Sequence, residues 1–240
     1  MPWYYAVAER DHELQNPTSP EKIRLLGERL RLGPASEVLD VAAGKCGPAT
    51  ILALEFGCRI TAIERAPEFL AAARERVASA GLVDRIEIVE QDAAQADLGH
   101  GRYDVAMCLG ASFVWNGLAE TLAALAPAVR DGCAVVVGEP YWRRWPLPEG
   151  IDHEGYVTLG ETVGRFEAAG LAPEGLIASS EDDWDRYETL HWRALEEWLA
   201  ASPDDPDAPR IRELHERNRD QYLTSGRELL GWAIFVGRKR

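Results

Sequence analysis

A loop of small residues, Val41-Ala42-Ala43-Gly44-Lys45-Cys46-Gly47, constrains the fold of this chain more than any other segment. It follows an apolar run that ends at Asp40, and a helical pattern begins at Pro48. Small side chains let the backbone approach a ligand closely, and a helix N-terminus offers free N–H groups. A strand, a tight loop and a helix in this order predict a ligand site beyond the carboxyl end of a parallel strand.

Short β-type runs and longer helical patterns alternate from residue 36 to residue 138. The runs EVLDVA and VAMCLG are nearly continuous in apolar character, which is typical of strands covered on both faces. The alternation predicts an α/β fold with a doubly wound, mostly parallel sheet. The predicted strands are Glu37–Val41, Arg59–Glu64, Arg85–Glu90, Tyr103–Leu109 and Cys133–Gly138, and the predicted helices are Pro48–Phe56, Pro67–Ala80 and Leu118–Val129.

The pattern changes after residue 138. We predict a helix over Thr158–Ala169, a strand over Leu176–Ser180, helices over Arg186–Ala200 and Arg210–Leu223, and a last strand at GWAIFVG. We therefore expect three parts. Residues 1–35 form an N-terminal cover segment and helix, residues 36–183 and 229–240 form the α/β domain, and residues 184–228 form a helical insertion that covers the sheet edge as a lid.

The charge balance bears on the partner. Lys and Arg number 26 against 40 Asp and Glu, a formal charge of −14. Binding through phosphates depends on basic side chains, so we expect no nucleic acid and favour a small-molecule partner.

The four cysteines show no paired spacing, which indicates a reduced, cytoplasmic setting. We expect no signal peptide, because the first residues show no basic stretch followed by an apolar one, and no membrane span, because no apolar stretch reaches the ~20 residues that a span needs. The oligomeric state stays open.

Acidic residues end three successive predicted strands. Asp40 ends the first, Glu64 ends the second 24 residues later, and Asp92 follows the third. An acid about 20 residues beyond such a loop accepts ribose hydroxyls. The loop has Gly44 and Gly47 but lacks the G-x-G-x-x-G pattern of a dinucleotide site. The pattern suits a nucleoside that carries an ammonium group better than one that carries a pyrophosphate.

These segments resemble the class I S-adenosylmethionine-dependent methyltransferases. VLDVAAGKCG is similar to the glycine-rich motif of that family, ITAIERAPEFLAAARERV to its second-strand motif, IEIVEQDAAQ to its third and YDVAMCLGASFVW to its fourth. The resemblance covers about residues 20–140. It implies a seven-stranded, Rossmann-like sheet with an antiparallel last strand and S-adenosyl-L-methionine as the cofactor. The chain departs from the G-x-G-x-G pattern of the family at Ala42 and Cys46, which stand at the first and third glycines.

The resemblance also implies residue roles. Asp40 and the loop backbone would hold the methionine end, and Glu64 would bind the ribose hydroxyls. Arg65 would lie beside the adenine, whose amino group and ring nitrogen would meet Asp92 and the N–H of Ala93. The implied cofactor-binding residues are Asp40, Ala42, Ala43, Gly44, Cys46, Gly47, Glu64, Arg65, Asp92, Ala93, Cys108, Leu109 and Gly110. Lys22 and Lys45 are candidates to meet the cofactor carboxylate.

Methyl transfer from a sulfonium is a one-step in-line displacement, so the protein mainly aligns and desolvates the reactants. A general base is needed only for an acceptor that arrives protonated. The candidates for that base are Glu139, His12 and His153. The aromatic residues that could contact the acceptor are Tyr4, Tyr5, Phe113, Trp115, Tyr141, Trp142 and Trp145, and of these we predict Tyr5, Trp115, Tyr141 and Trp142 as acceptor contacts. We expect no metal site, because the acidic clusters lack the spacing of a calcium loop.

Two other functions stay open. One is a non-catalytic protein that binds S-adenosylmethionine or S-adenosylhomocysteine, because in-line displacement leaves no obligatory catalytic residue to check. The other is an NAD(P)-dependent oxidoreductase. The incomplete glycine pattern and the absence of a Tyr-x-x-x-Lys pair disfavour it.

Overall fold

The computed structural model describes residues 2–152 and 155–240. Within these ranges seven strands form one sheet in the order β3-β2-β1-β4-β5-β7-β6. Strands β1 to β5 run parallel, and β7 runs antiparallel to both β5 and β6, which confirms the predicted fold. The strands are β1 Glu37–Val41, β2 Arg59–Glu64, β3 Ile86–Glu90, β4 Tyr103–Leu109, β5 Val129–Trp142, β6 Leu171–Ala178 and β7 Leu230–Lys239.

Helices cover both faces of this sheet. Helices α2, α3, α4 and part of α7 pack on one apolar face, and α5 and α6 pack on the other. Helices α1, α7 and α8 share a smaller apolar cluster. The helices are α1 Pro2–Ala8, α2 Pro20–Leu30, α3 Gly47–Phe56, α4 Pro67–Ser79, α5 Leu118–Leu125, α6 Leu159–Ala168, α7 Glu181–Ala201, α8 Ala208–Gln221 and α9 Arg227–Leu229.

Four elements differ from the predicted bounds by four or more residues at one end, and the others agree to within two. Helix α5 ends at Leu125, because Pro127 lacks an N–H and the chain turns into β5 at Val129. Strand β5 therefore starts earlier than Cys133, and it continues to Trp142 because β7 pairs with it over that length. Strand β6 lies at Leu171–Ala178 instead of residues 176–180, paired with β7. Helix α7 begins at Glu181, ahead of the predicted residue 186, because Ser180 and Asp183 form a capping box.

The sheet register brings the predicted strand tips to one edge. In β1 and β2, Asp40 pairs with Ala62 and Val41 with Ile63, while Glu64 at the end of β2 pairs with Glu90 of β3. The parallel strands thus end side by side. The loop after β1 and the segments after β2, β3 and β4 meet at this edge, as they must in a parallel sheet.

The length and polarity of each helix decide whether it could cross a membrane. Across 2–152 and 155–240, no helix combines the length and the apolar character that a membrane crossing requires.

Candidate functional site

The loop after β1 has an unusual backbone. Ala42, Gly44 and Cys46 all adopt positive φ angles, of 52°, 56° and 56°. These angles turn the chain tightly, and the N–H groups of this loop already have partners in the protein. Ala43 donates to the Ile63 carbonyl, Gly44 to Glu64, Lys45 to Gln15 and Cys46 to the Ala43 carbonyl. The Cys46 thiol is fully buried, and that burial, with the nearby Asp40 and Glu64, raises its pKa to about 12. It therefore serves as a small apolar side chain here and carries no reactive thiolate.

Asp40 lies beneath this loop with only 2% of its surface exposed. Its Oδ2 has no hydrogen-bond partner among the described residues. Burial, together with the charge of Glu64, raises the pKa of Asp40 to about 8. A buried carboxyl group with an unsatisfied oxygen is costly unless a ligand completes it. A cationic or hydrogen-bond-donating ligand group would do so.

Glu64 at the end of β2 is also buried, and backbone N–H groups hold its carboxylate. Gly44 donates to Oε2 at 2.8 Å, while Arg65 and Ala66 donate to Oε1 at 2.8 and 2.7 Å. A carboxylate offers about four lone-pair sites, and these bonds use two on Oε1 and one on Oε2, so about one acceptor site remains, on Oε2. The Glu64 carboxylate is fixed against the loop, where a sugar diol could meet it.

The tip of β3 carries the third acid. The Asp92 carboxylate accepts from the Ala94 N–H at 3.0 Å and from the Arg65 guanidinium at 2.7 Å. These contacts, led by the Ala94 hydrogen bond, lower the pKa of Asp92. Arg65 and Asp92 thus bridge the tips of β2 and β3, beside the buried Ala93.

Residues 9–17, here called the N-terminal strap, lie across the loops after β1 and β4. The Gln15 side chain sits above Gly44 and its Oε1 accepts from the Lys45 N–H at 2.6 Å, while Asn16 donates to the Leu109 carbonyl at 3.3 Å. A Cβ at Gly47 would overlap the backbone carbonyl oxygen of Glu13. Glycine at 47 is therefore needed for the strap to approach so closely.

The two lysines proposed for a cofactor carboxylate have other partners in this structure. The Lys45 ammonium group donates to the backbone carbonyls of Glu9, Arg10 and His12. Lys22 forms an ion pair with Asp183 of α7. Both lysines attach the N-terminal region to the rest of the fold.

A cavity of about 560 Å³ opens beside these strand tips. The strap, the segment after β4, strands β5 and β7, and helices α6 and α7 all contribute to its wall. The residues that line it include Gly110, Ser112, Phe113, Glu139, Trp184 and Trp232. A smaller cavity of about 210 Å³ lies between Ser36 and Asp104, at the amino ends of β1 and β4 and away from the site.

Glu139 is the acid of this cavity. It is 6% exposed, its Oε1 accepts from the Ser112 hydroxyl at 3.1 Å, and its Oε2 has no partner in the part of the chain that the structure describes. Burial raises the pKa of Glu139 to about 7, although Ser112 and Arg165 act in the opposite direction. A carboxyl group with that pKa takes up and releases a proton near neutral pH.

The four predicted acceptor contacts lie elsewhere. Tyr5 is exposed on α1, and Trp115 packs partly buried against the core below α5. The Tyr141 ring covers Gly231 and meets Phe235 edge to face, and Trp142 is buried beside Tyr156. Among the described residues, the cavity wall includes none of the four. β5 extends to Trp142, and this carries both of its aromatic side chains into sheet packing.

His12 and His153 are the other two predicted bases. His153 lies outside the described residues. His12 is 3% exposed in the strap, next to Glu9, Tyr187 and His191, and it does not line the cavity.

Sequence reasoning missed most of the cavity wall. Trp184 and Tyr187 of α7 lie on the predicted insertion, but the pattern indicated helix packing there. Trp232 belongs to the apolar run of β7, which predicted a strand and gave no sign of a pocket. One sequence feature did indicate the cavity: Glu139 lies at the end of the predicted fifth strand, on the sheet edge where ligands bind.

Comparisons with known proteins agree with this geometry. A family model described as a methyltransferase domain matches residues 38–132. The Escherichia coli K12 protein YjhP is 31% identical over 243 residues, with 98% of each chain covered. Two crystal structures of S-adenosylmethionine-dependent methyltransferases in complex with S-adenosylhomocysteine, from Geobacter sulfurreducens and Thiobacillus denitrificans, are 32% and 30% identical. Each superposes with a TM-score of 0.93 over 100% of this chain and 99% of the other.

Proposed function

Because this chain belongs to the class I S-adenosylmethionine-dependent methyltransferases, with S-adenosylmethionine as the cofactor, we propose that it methylates a small molecule bound in the cavity beside Glu139. The observation that carries this proposal is the position of the cavity. It opens at Gly110, just after β4, and β4 is the sheet neighbour of β1, whose loop bears the glycines. Cofactor loop and cavity therefore adjoin.

The residues at the strand tips fit the cofactor. The unsatisfied Oδ2 of Asp40 would complete its bonding with the ammonium group of the methionine end. Glu64 would accept the ribose hydroxyls, and Arg65, Asp92 and Ala93 would line the adenine. We propose the remaining contacts from backbone and small side chains at Ala42, Ala43, Gly44, Cys46, Gly47, Cys108, Leu109 and Gly110.

When bound, S-adenosylmethionine supplies a methyl group activated by its sulfonium. The protein has to exclude water and hold the acceptor in line. Aromatic side chains, Trp184 and Trp232 among them, give the cavity dry walls. Glu139 would take the proton of a hydroxyl or ammonium acceptor at its free Oε2, while the Ser112 hydroxyl holds Oε1 in place.

The size and charge of the molecule support a small acceptor. A volume of about 560 Å³ lies within the range of small-molecule sites. The formal charge of −14 disfavours nucleic acid. We also propose a cytoplasmic location, since the four cysteines are free and three of them are buried.

The helical insertion would act as a cover for the acceptor. Trp184 and Tyr187 belong to both α7 and the cavity wall, and the N-terminal segment 1–35 contributes Gln15, Asn16 and Pro17. Proteolytic nicking within residues 184–228 should therefore alter acceptor use more than cofactor binding. The reverse result would contradict this role.

The test of the proposed function has two stages. Calorimetry should detect binding of S-adenosylmethionine and S-adenosylhomocysteine but not of NAD. Incubation with methyl-labelled cofactor and fractionated small-molecule extracts should then transfer label to a small acceptor. Tight binding with no transfer to any fraction would favour a non-catalytic binder, and tight binding of NAD instead would favour an oxidoreductase.

A further inference from the structure

Three potential metal ligands from distant parts of the chain meet behind the Tyr187 ring. Glu9 and His12 belong to the N-terminal strap and His191 to α7. One ligand atom from each, a carboxylate oxygen and two ring nitrogens, lies within 4.8 Å of the others. Glu9 and His12 are 4% and 3% exposed.

The hydrogen bonds around His12 leave one atom aimed into the cluster. Its Nε2 lies 2.9 Å from the Tyr187 carbonyl oxygen, which only accepts, so Nε2 carries the hydrogen. Because the hydrogen is on Nε2, Nδ1 presents a lone pair toward the cluster. Nδ1 lies 3.5 Å from Glu9 Oε2. Neither atom has a hydrogen-bond partner within the described chain.

Two buried lone pairs that face each other need a positive species between them. Zn²⁺ binds imidazole nitrogen and carboxylate oxygen at about 2.0–2.2 Å, which places tetrahedral ligand atoms about 3.3–3.5 Å apart. Glu9 Oε2 and His12 Nδ1 lie 3.5 Å apart, which fits that spacing. His191 Nε2 is hydrogen-bonded at 3.0 Å to the other oxygen, Glu9 Oε1, and an ion that binds His191 through Nε2 would replace this bond. All three ligands thus lie within reach of one ion.

The surroundings also orient the ligands. The Tyr187 carbonyl fixes the His12 ring through Nε2, and the Tyr187 hydroxyl lies 2.9 Å from Glu9 Oε1. Contacts of this kind set the tautomer and direction of metal-binding side chains. Lys45 donates to backbone carbonyls of the strap and is itself held by Gln15 through its N–H.

We propose that Glu9, His12 and His191 bind one divalent cation of the zinc type, with a water molecule in the fourth position. The ion would tie the N-terminal strap to α7. Because the strap crosses the loop after β1, the ion would also hold the cover of the cofactor site closed. The proposal does not depend on the function proposed above, since it concerns an ion that stabilises the fold.

The test uses zinc itself on the full chain. After chelator treatment and dialysis against limiting Zn²⁺, elemental analysis should find about one zinc per chain in the wild type and a several-fold loss in His191→Ala. His191 is the most exposed of the three ligands, so this variant should fold, which circular dichroism would check. His100→Ala, which removes an exposed histidine from a bend, is the matched control and should bind as the wild type does.

Two further readouts exclude other binding sites. Zn²⁺ should raise the Tm of the wild type and of His100→Ala but not that of His191→Ala, since an ion that binds only the folded state stabilises it. Co²⁺ in place of zinc should show weak visible bands without the intense thiolate charge-transfer band that a cysteine ligand would produce. Equal zinc uptake by wild type and His191→Ala, no uptake by either, or a thiolate band would overturn the proposal.

Discussion

The carboxylate of Glu64 accepts a hydrogen bond from the backbone N–H of Gly44 at 2.8 Å, so the tip of β2 braces the loop after β1. Asp40 lies below the same loop, where burial and, to a smaller degree, the charge of Glu64 raise its pKa. The two acids are therefore part of one structure with the loop. A ligand that changes the charge of one carboxyl group will therefore shift the pKa of the other.

Cofactor binding should release a proton from Asp40. Its pKa is about 8 in the ligand-free protein, so it is mostly protonated at pH 7. An adjacent ammonium group favours the carboxylate and lowers that pKa. Affinity for S-adenosylmethionine should therefore rise between about pH 6 and 8, by at most about tenfold per pH unit for one coupled proton.

Calorimetry in buffers of different ionisation enthalpy measures this release directly. Asp40→Asn should abolish it and weaken binding by roughly tenfold or more, the usual size of a lost hydrogen bond to a charged group. Asp84→Asn, at an exposed turn before β3, is the matched control and should behave as the wild type does. Unchanged proton release in Asp40→Asn would count against the assignment.

Glu139→Gln should slow methyl transfer without weakening cofactor binding. Loss of a general base costs about 10²–10⁴-fold in rate. The wild-type rate should rise with pH as Glu139 loses its proton near pH 7, and the variant should lose this dependence. Glu120→Gln, on the exposed start of α5, should keep the wild-type rate and profile. A Glu139→Gln enzyme with the same profile would exclude Glu139 as the base.

The same variant should change the pH dependence of stability. The folded-state pKa of Glu139 is about 7, above the ordinary value near 4.5, so the folded state binds more protons between these values. The free energy of unfolding should thus fall as the pH rises from about 4.5 to 7. Glu139→Gln should remove about 1–3 kcal/mol of that decline. Urea titrations at pH 5 and 8 would measure it, and an equal decline in both proteins would contradict the assigned environment.

Phe113→Ala should raise the KM for the acceptor. Phe113 lies at the cavity rim with 71% of its surface exposed, so its removal should cost little stability. Leu223→Ala, also exposed but away from the cavity, is the control. We expect a several-fold rise in KM in Phe113→Ala alone, with the cofactor Kd unchanged in both variants. The same KM in both would mean that the acceptor binds elsewhere.

Gly47→Ala should loosen the N-terminal strap. A Cβ there would overlap the Glu13 carbonyl oxygen, which is backbone and can move only with the strap. Overpacking of this kind costs about 1–3 kcal/mol. Gly160→Ala adds a Cβ in open space on α6 and should be neutral or slightly stabilising. Urea unfolding with limited proteolysis within residues 9–17 would compare them, and equal behaviour would contradict this account of the strap.

The strands of the cofactor half were predictable because they are buried on both faces. Strands β1, β2 and β4 have the predicted bounds, since continuous apolar runs leave little choice of period. Their parallel direction then brought Asp40 and Glu64 to one edge. The C-terminal end of β5 was not predictable, because it depends on pairing with β7, about 100 residues away.

The acceptor side depends on contacts between distant segments. Glu139 could be predicted as a site residue from its position at the end of a strand. Trp184 and Tyr187 face the cavity only because α7 packs against the sheet. The spacing of apolar residues along α7 does not show which of them will line a cavity. The Glu9, His12 and His191 cluster joins two segments about 180 residues apart, so no spacing motif could reveal it.

A crystal structure of this protein with S-adenosylhomocysteine tests the central claim most directly. We predict the ribose hydroxyls within hydrogen-bonding distance of Glu64, the amino group of the homocysteine end on Asp40, and the sulfur facing the cavity of Glu139. A nucleoside bound away from Glu64, or a sulfur turned away from that cavity, would contradict the account.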